Sequence, residues 1–269
     1  MAAGTPLIPE QRRQELLRHL RRERVLSFRQ ITELLGVSSM TARRDVAKLA
    51  TEGRVRATAG GAAMPVRVLA EPIRSEKAVT DMPLKAAIAK AAAGLVEDSM
   101  SVYLDAGTTV HAMVPHLEKI TRLTAVTNDL ATAQALTHLP GVELICVGGR
   151  VDKSNESTLG RLAALTISEL SLDVAFLSSS SWDAQIGVTT PVEAKVEVKR
   201  AALAHSANAV LLADSAKYGS SAQYRVLDLA ELGTVVTDDR LADSDAERVQ
   251  ANGVELLRAE VEPVLDARA

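Results

Sequence analysis

Residues 36–49 read Gly36-Val37-Ser38-Ser39-Met40-Thr41-Ala42-Arg43-Arg44-Asp45-Val46-Ala47-Lys48-Leu49. At 100° per residue, Ala42, Val46 and Leu49 fall within about 60° of one another, which makes one apolar stripe of a helix. Met40, Arg43, Arg44, Ala47 and Thr51 take the other side. Ser38 is placed to cap the helix start, and Gly36 suits the left-handed residue at which a preceding helix ends. That preceding helix begins at Ser27, where Gln30 completes a capping box, and it turns Ile31, Leu34 and Leu35 inward. An earlier helix runs from Pro9 to about Arg22, with Leu16, Leu17 and Leu20 on one face.

Two arginines among small and flexible residues suit a helix laid in the DNA major groove. Small side chains allow close approach, and Arg bonds guanine O6 and N7 bidentately. Ser38, Ser39 and Thr41 can donate to phosphates at the helix start, where the dipole favours anions. Gly53-Arg54-Val55-Arg56, followed by Gly60-Gly61, reads as a short basic hairpin, a wing against the DNA backbone. The candidate DNA contacts are therefore Ser38, Ser39, Met40, Thr41, Arg43, Arg44, Lys48, Arg54 and Arg56. Charge supports this reading. Residues 1–67 hold thirteen Arg or Lys against six Asp or Glu, a local +7, which leaves −10 for the remainder of a chain whose total is −3. A basic head on an acidic body is the footprint of a polyanion-binding module joined to a second domain. A plain amphipathic helix pair is the alternative, and the helix–Gly–helix spacing and capping weigh against it.

The 269 residues, 47% hydrophobic and 24% charged, exclude a disordered chain. Aromatic residues are only 2%, so the core must be built from Ala, Leu and Val. No apolar run reaches the roughly 20 residues of a membrane span, and residues 1–11 lack the apolar stretch of a signal peptide, so no membrane contact and a cytoplasmic location are expected. Cys146 stands alone, which excludes an intrachain disulfide and a multi-cysteine zinc site. It lies among Leu144, Ile145 and Val147, which predicts a buried, inert thiol. The five histidines show no metal-binding spacing, and neither a metal nor a cofactor is expected.

The expected organisation is a helix-turn-helix domain over 1–64, a linker over 65–82 and a larger domain over 83–269. The linker carries Pro65, Pro72 and mixed charge with no clear period. From residue 83 onward helices alternate with apolar strands at 102–104, 123–127, 142–147, 173–177, 209–213 and 234–237. That alternation predicts an α/β fold, a mostly parallel sheet with helices on both faces. Ligands of such sheets bind beyond the carboxyl ends of the strands. Asp105, Asn128, Gly148-Gly149, Ser178–Ser181, Asp214 and Lys217 all follow strands. Gly107-Thr108-Thr109, at a strand-to-helix turn, suits a phosphate. No Gly-Lys-[Ser/Thr] follows, so nucleotide hydrolysis is disfavoured.

The segment Val37 to Val46, followed by Gly53 and Gly60-Gly61-Ala62, resembles the winged helix-turn-helix of the DeoR family of bacterial transcriptional regulators. Ala42 stands where that pattern usually has Ile, and Ala59 where it has His. Asp105-Ala106-Gly107-Thr108-Thr109, Val126-Thr127-Asn128, Val147-Gly148-Gly149, Gly187-Val188-Thr189, Lys199 and Ala213-Asp214-Ser215 with Lys217 resemble the family's effector domain. The resemblance implies a fold similar to ribose 5-phosphate isomerase and a phosphorylated sugar or sugar derivative as effector. It also implies Lys85 near the phosphate, and double-stranded operator DNA as partner. Ser178–Ser181 replaces the family's usual Gly-x-x-Gly, with Trp182 expected as a pocket wall and Asp183 on sugar hydroxyls. The expected effector contacts are Lys85, Asp105, Gly107, Thr108, Thr109, Asn128, Gly148, Gly149, Ser180, Asp183 and Lys217. One small winged helix touches few base pairs, so a homo-oligomer, dimer or tetramer, is expected to supply several heads. A DNA-tethered sugar-phosphate isomerase, with Asp105, Asp183 or Glu193 as base, is the competing reading, and a ligand-independent DNA-binding protein is another. Fold similarity to an isomerase does not make one, and the DNA-binding head favours a sensor that is not an enzyme.

Overall fold

The computed structural model describes residues 7–262. The chain divides into two units, Met1–Val66 and Arg67–Ala269.

The first unit contains α1 (Pro9–Glu23), β1 (Val25–Ser27), α2 (Phe28–Leu35), α3 (Ser39–Thr51), β2 (Arg56–Thr58) and β3 (Gly61–Ala63). The capping box is formed: the Gln30 amide donates to Ser27 Oγ at 3.2 Å, and the Ser27 amide donates to Gln30 Oε1 at 2.8 Å. Gly36 ends α2 at φ 61°, a conformation that costs glycine nothing. Leu16, Leu17, Leu20, Ile31, Ala42, Val46 and Leu49 form one core. Leu34 departs from expectation and is 44% exposed. The helix α2 has only two turns and buries its Ile31 side, leaving Leu34 on a groove rim with His19 and Val25. The strands order as β1-β3-β2, all antiparallel. A three-residue β1 is too short to show a period in the sequence. Arg12 fastens α1 to α3, donating from Nε and Nη2 to the buried Asp45 at 2.5 and 3.1 Å. That bond raises the Arg12 pKa above its ordinary value, against the opposing effect of burial.

The second unit opens at β4 (Val66–Arg67), which spans the boundary. There follow α4 (Arg74–Val79), α5 (Met82–Ala93), β5 (Ser101–Leu104), α6 (Thr108–His111), β6 (Leu123–Thr127), α7 (Leu130–Leu136) and β7 (Val142–Cys146). Next come β8 (Arg150–Asp152), β9 (Ser157–Leu159), α8 (Arg161–Ser168), β10 (Leu172–Ser178), β11 (Ser181–Asp183), β12 (Gly187–Thr190) and α9 (Ala194–Ala204). The last elements are β13 (Ser206–Leu212), β14 (Ser220–Ser221), β15 (Tyr224–Leu227), β16 (Thr234–Asp238), α10 (Asp243–Gln250) and β17 (Glu255–Ala259).

Seven strands form one parallel sheet in the order β17-β16-β13-β10-β5-β6-β7. Side chains alternate between its faces. Val174 and Phe176 pack with Ile88, Ala89, Met113 and Leu136 on one side. Ala175 and Leu177 pack with Ile167, Val198, Ala202 and Trp182 on the other. Alanines such as Ala89 and Ala202 replace aromatic bulk and let the helices lie close. An antiparallel sheet β11-β12-β15 and a β8–β9 hairpin are additions that helix–strand alternation did not reveal.

Two expectations change. Cys146 is exposed, because β7 is the edge strand of the sheet. The segment read as a linker carries α4 and is bound to the second unit. Arg74 Nη1 donates to the buried Asp129 at 2.5 Å, and Glu71 sits between Lys77, at 2.7 Å, and Lys195. Ion pairs rather than an apolar stripe hold this strap, so it showed no period.

Candidate functional site

The exposed side of α3 carries Met40, Arg43, Arg44, Ala47 and Lys48, while Ala42, Val46 and Leu49 are buried. Ser38 caps the helix, its Oγ accepting from the Thr41 amide at 3.2 Å. Ser39 is exposed and Thr41 is half-buried. The Arg43 guanidinium lies 4.3 Å over the Phe28 ring, a cation–π contact that holds it in place. Arg44 is exposed on the same helix. Lys48 lies 3.6 Å from Glu52, and Arg54 lies 3.7 Å from the same residue. Arg56 opens the wing strand β2.

In the second unit, β5 continues to β6 on one side, while β10 lies on its other side. The strand order reverses at the β5–β10 pair, and a crevice opens at such a switch point. A cavity of about 480 Å³ lies there. Its lining includes Ala106, Gly107, Thr108 and Thr109 after β5, Ser178, Ser179 and Ser180 after β10, and Asp214 and Lys217 after β13. Lys85 of α5 also lines it, and Glu71, Glu76, Lys77, Thr80 and Asp81 form the wall given by the strap and the start of α5. A Cβ on Gly107 would stand 2.7 Å from Ser178 Cβ, so only glycine lets the two loops meet.

Lys217 pairs with Asp214 at 2.8 Å. Lys85 Nζ donates to the carbonyls of Thr80, at 2.7 Å, and Lys77. Burial, and then the charge of Lys217, holds the Lys85 pKa below its ordinary value. Both conditions favour an arriving anion, which would restore the ammonium's lost solvation.

Several expected contacts do other work. Asp105 is buried. Its Oδ2 accepts from the Ser178 amide at 2.8 Å, from Ser178 Oγ at 2.7 Å and from Lys199. It fastens the β5 and β10 ends together and does not line the cavity. Asn128 is also buried, accepting from Tyr103 Oη at 2.8 Å and from the Ala106 amide at 3.0 Å. Gly148 and Gly149 lead into the β8–β9 hairpin, away from the cavity lining. Asp183 caps its own turn, accepting from the Gln185 amide at 2.8 Å. Trp182 is fully buried, set edge-on against Tyr218 at 4.8 Å, and is core rather than pocket wall. Of the four serines, Ser181 is consumed by the scaffold, through Thr189 at 2.6 Å, and Ser178 both bonds Asp105 and borders the cavity. Ser179 and Ser180 line the cavity. Sequence reasoning missed Glu71 and Lys77. The two strap residues carried no motif, and their role depends on the strap's folding back.

Burial alone would raise the Glu71 carboxyl, but Lys195 and Lys77 outweigh it and hold it at about 2, down from 4.5. Lys77 is itself pushed below its ordinary value by burial, with Lys195 and Lys217 acting against the pull of Glu71. One carboxylate serves two ammoniums, so the gain falls on the acid and the crowding on the lysine. Because the folded-state pKa of Glu71 is depressed, its contribution is complete above about pH 4.5 and is lost as pH falls toward 2. Glu71→Gln is therefore expected to flatten the fall in melting temperature between about pH 5 and 3. Circular dichroism melts check this, and an unchanged slope would remove the strap's anchor.

Among the described residues no helix is long and apolar enough to cross a membrane. Residues 12–68 match the family model described as the DeoR-like helix-turn-helix domain, and residues 81–239 match the DeoR C terminal sensor domain. The chain is 40% identical over 256 residues to the HTH-type transcriptional regulator YgbI of Escherichia coli (strain K12), covering 95% of this chain and 100% of that one. It is 31% identical over 251 residues to the HTH-type transcriptional repressor GlcR of Bacillus subtilis (strain 168), covering 93% and 96%. Ribose 5-phosphate isomerase A from Methanocaldococcus jannaschii matches 52% of this chain and 55% of its own at 16% identity and a TM-score of 0.39, a partial likeness too weak to argue from. A helix bearing two exposed arginines, a separate sheet unit with a cavity at its switch point, and relatives matched over nearly their whole length agree: the chain belongs to the DeoR family of DNA-binding transcriptional regulators.

Proposed function

We propose that the chain is a repressor of carbohydrate-utilisation genes whose operator binding is relieved by a phosphorylated sugar. The observation that carries this reading is the cavity of about 480 Å³ at the β5–β10 switch point, where Lys85 and Lys217 meet the Gly107-Thr108-Thr109 turn. Two ammoniums, turn amides and two threonine hydroxyls suit a phosphate dianion. The carboxylates of Glu76, Asp81 and Asp214 along the same lining suit a polyol's hydroxyls. The protein acts as a homo-oligomer, which sets two or more recognition helices on repeated half-sites. A sugar phosphate that prefers one arrangement of the sensor units changes the freedom of the heads. By linkage the ligand weakens DNA binding by the factor by which DNA weakens ligand binding, typically about 1–3 kcal/mol.

A thermal-shift screen with sugar phosphates and their unphosphorylated counterparts tests this. The phosphorylated compounds alone are expected to raise the melting temperature. Lys217→Met should weaken the responsive ligand about 10- to 150-fold, the loss of one hydrogen bond to a charged group. Because Lys85 is charged only below its lowered pKa, affinity should fall on raising the pH before 10.5 is reached. Equal shifts from sugars and sugar phosphates, or a Lys217→Met isotherm like that of the wild type, would refute the phosphate assignment.

A further inference from the structure

The strap over residues 68–81 falls largely between the two matched family domains, which end at 68 and begin at 81. It is nonetheless one wall of the cavity, through Val68, Ala70, Glu71, Glu76, Lys77 and Thr80. Its attachments are few and polar. The Val68 amide donates to the Ser221 carbonyl at 2.7 Å and the Arg74 amide to that of Ser154 at 2.8 Å. Arg74 pairs with Asp129, and Glu71 with Lys77 and Lys195. The end of α4 is held by Lys77, whose ammonium reaches Asn155 Oδ1, and by Lys85, whose ammonium takes the carbonyls of Lys77 and Thr80. An ammonium has three donors, and two are spent on the strap. The same ammonium lines the cavity, and the strap is the direct continuation of the DNA-binding unit along the chain.

We infer that Lys85 is a positioning residue that ties the strap to a bound phosphate, so that filling the cavity tightens residues 72–80. This rests on the phosphate reading above. A phosphate takes the third donor and fixes the head of the Lys85 side chain between the cavity and the two strap carbonyls, to which a charged donor bonds strongly. Ligand binding is then converted into order in the segment that leads to the DNA-binding unit. The strap closes the site as well as sensing it, because its own Glu76, Lys77 and Thr80 line the cavity.

Hydrogen exchange of the full-length protein, with and without millimolar inorganic phosphate, tests the tie. Phosphate is expected to slow exchange of the amides of residues 74–80 about 10-fold, together with those of residues 106–109. Slowing at 106–109 with the strap unchanged would overturn the tie while leaving the phosphate site standing. No change in either segment would overturn both. Lys85→Met is expected to exchange the strap about 10-fold faster without phosphate and to lose the phosphate effect. Lys85→Arg, which keeps a permanent charge and its donors, should retain both, and serves if the methionine variant does not fold. An arginine variant whose strap ignores phosphate, or a methionine variant whose strap exchanges like the wild type, would each overturn the inference.

Discussion

Replacing Arg43 and Arg44 together by alanine should weaken operator binding by about 100-fold or more while the protein still melts cooperatively. Each bidentate arginine–guanine contact is worth about 1–3 kcal/mol, or roughly 5- to 150-fold, and two such contacts are removed. The fold survives because α3 packs through Ala42, Val46 and Leu49, and both arginines are exposed on its other side. The one structural loss is the Arg43 stack on Phe28, worth about 0.5–1 kcal/mol at an exposed position. Arg44→Ala alone avoids that loss and should still show a single-contact defect. Fluorescence anisotropy against a genomic fragment selected by the wild-type protein gives the affinity, and a melt run beside it gives the stability. Wild-type affinity in the double variant would mean that α3 is not the reading helix.

Lys199→Met carries the second large effect, on stability. It leaves the Asp105 carboxylate buried without the Lys199 counter-charge, with the Ser178 amide and hydroxyl still donating to it. Breaking one side of a buried pair costs about 3–5 kcal/mol. For a unit of this size that lowers the melting temperature by about 6–20 °C. Replacing both partners, Asp105→Asn with Lys199→Met, should recover much of the loss, since the penalty belongs to the unpaired charge. Calorimetry of the two variants measures this. A Lys199→Met protein that melts within a degree of the wild type would return Asp105 to the list of ligand contacts.

Residues that a family pattern groups as one site thus divide into two kinds. Asp105 and Asn128 build the loop junction, and Thr108, Thr109, Lys85 and Lys217 face the cavity. Nothing in the residue types separates them, because a carboxylate after a strand looks the same whether it meets a sugar or a lysine from α9. The serine run is the clearest case: Ser181 bonds Thr189 inside the scaffold, Ser179 and Ser180 line the cavity, and Ser178 does both.

Local chemistry was legible along the chain. The Ser27 and Ser38 caps, the left-handed Gly36, the buried stripe of α3 and the strand–helix alternation each depend on neighbours within a few residues, and the sequence carries those neighbours. The arginine-bearing α3 and the parallel α/β body followed from them. Strand order did not, because it depends on partners far apart in the chain. Only the tertiary structure set β10 beside β5 and so located the cavity, left Cys146 on an open edge, and folded an aperiodic segment back as a wall held by Arg74–Asp129 and Glu71–Lys195. Short-range hydrogen bonding and periodicity are written in order along the backbone, whereas ion pairs between residues 55 and 124 positions apart leave no local trace until the chain brings them together.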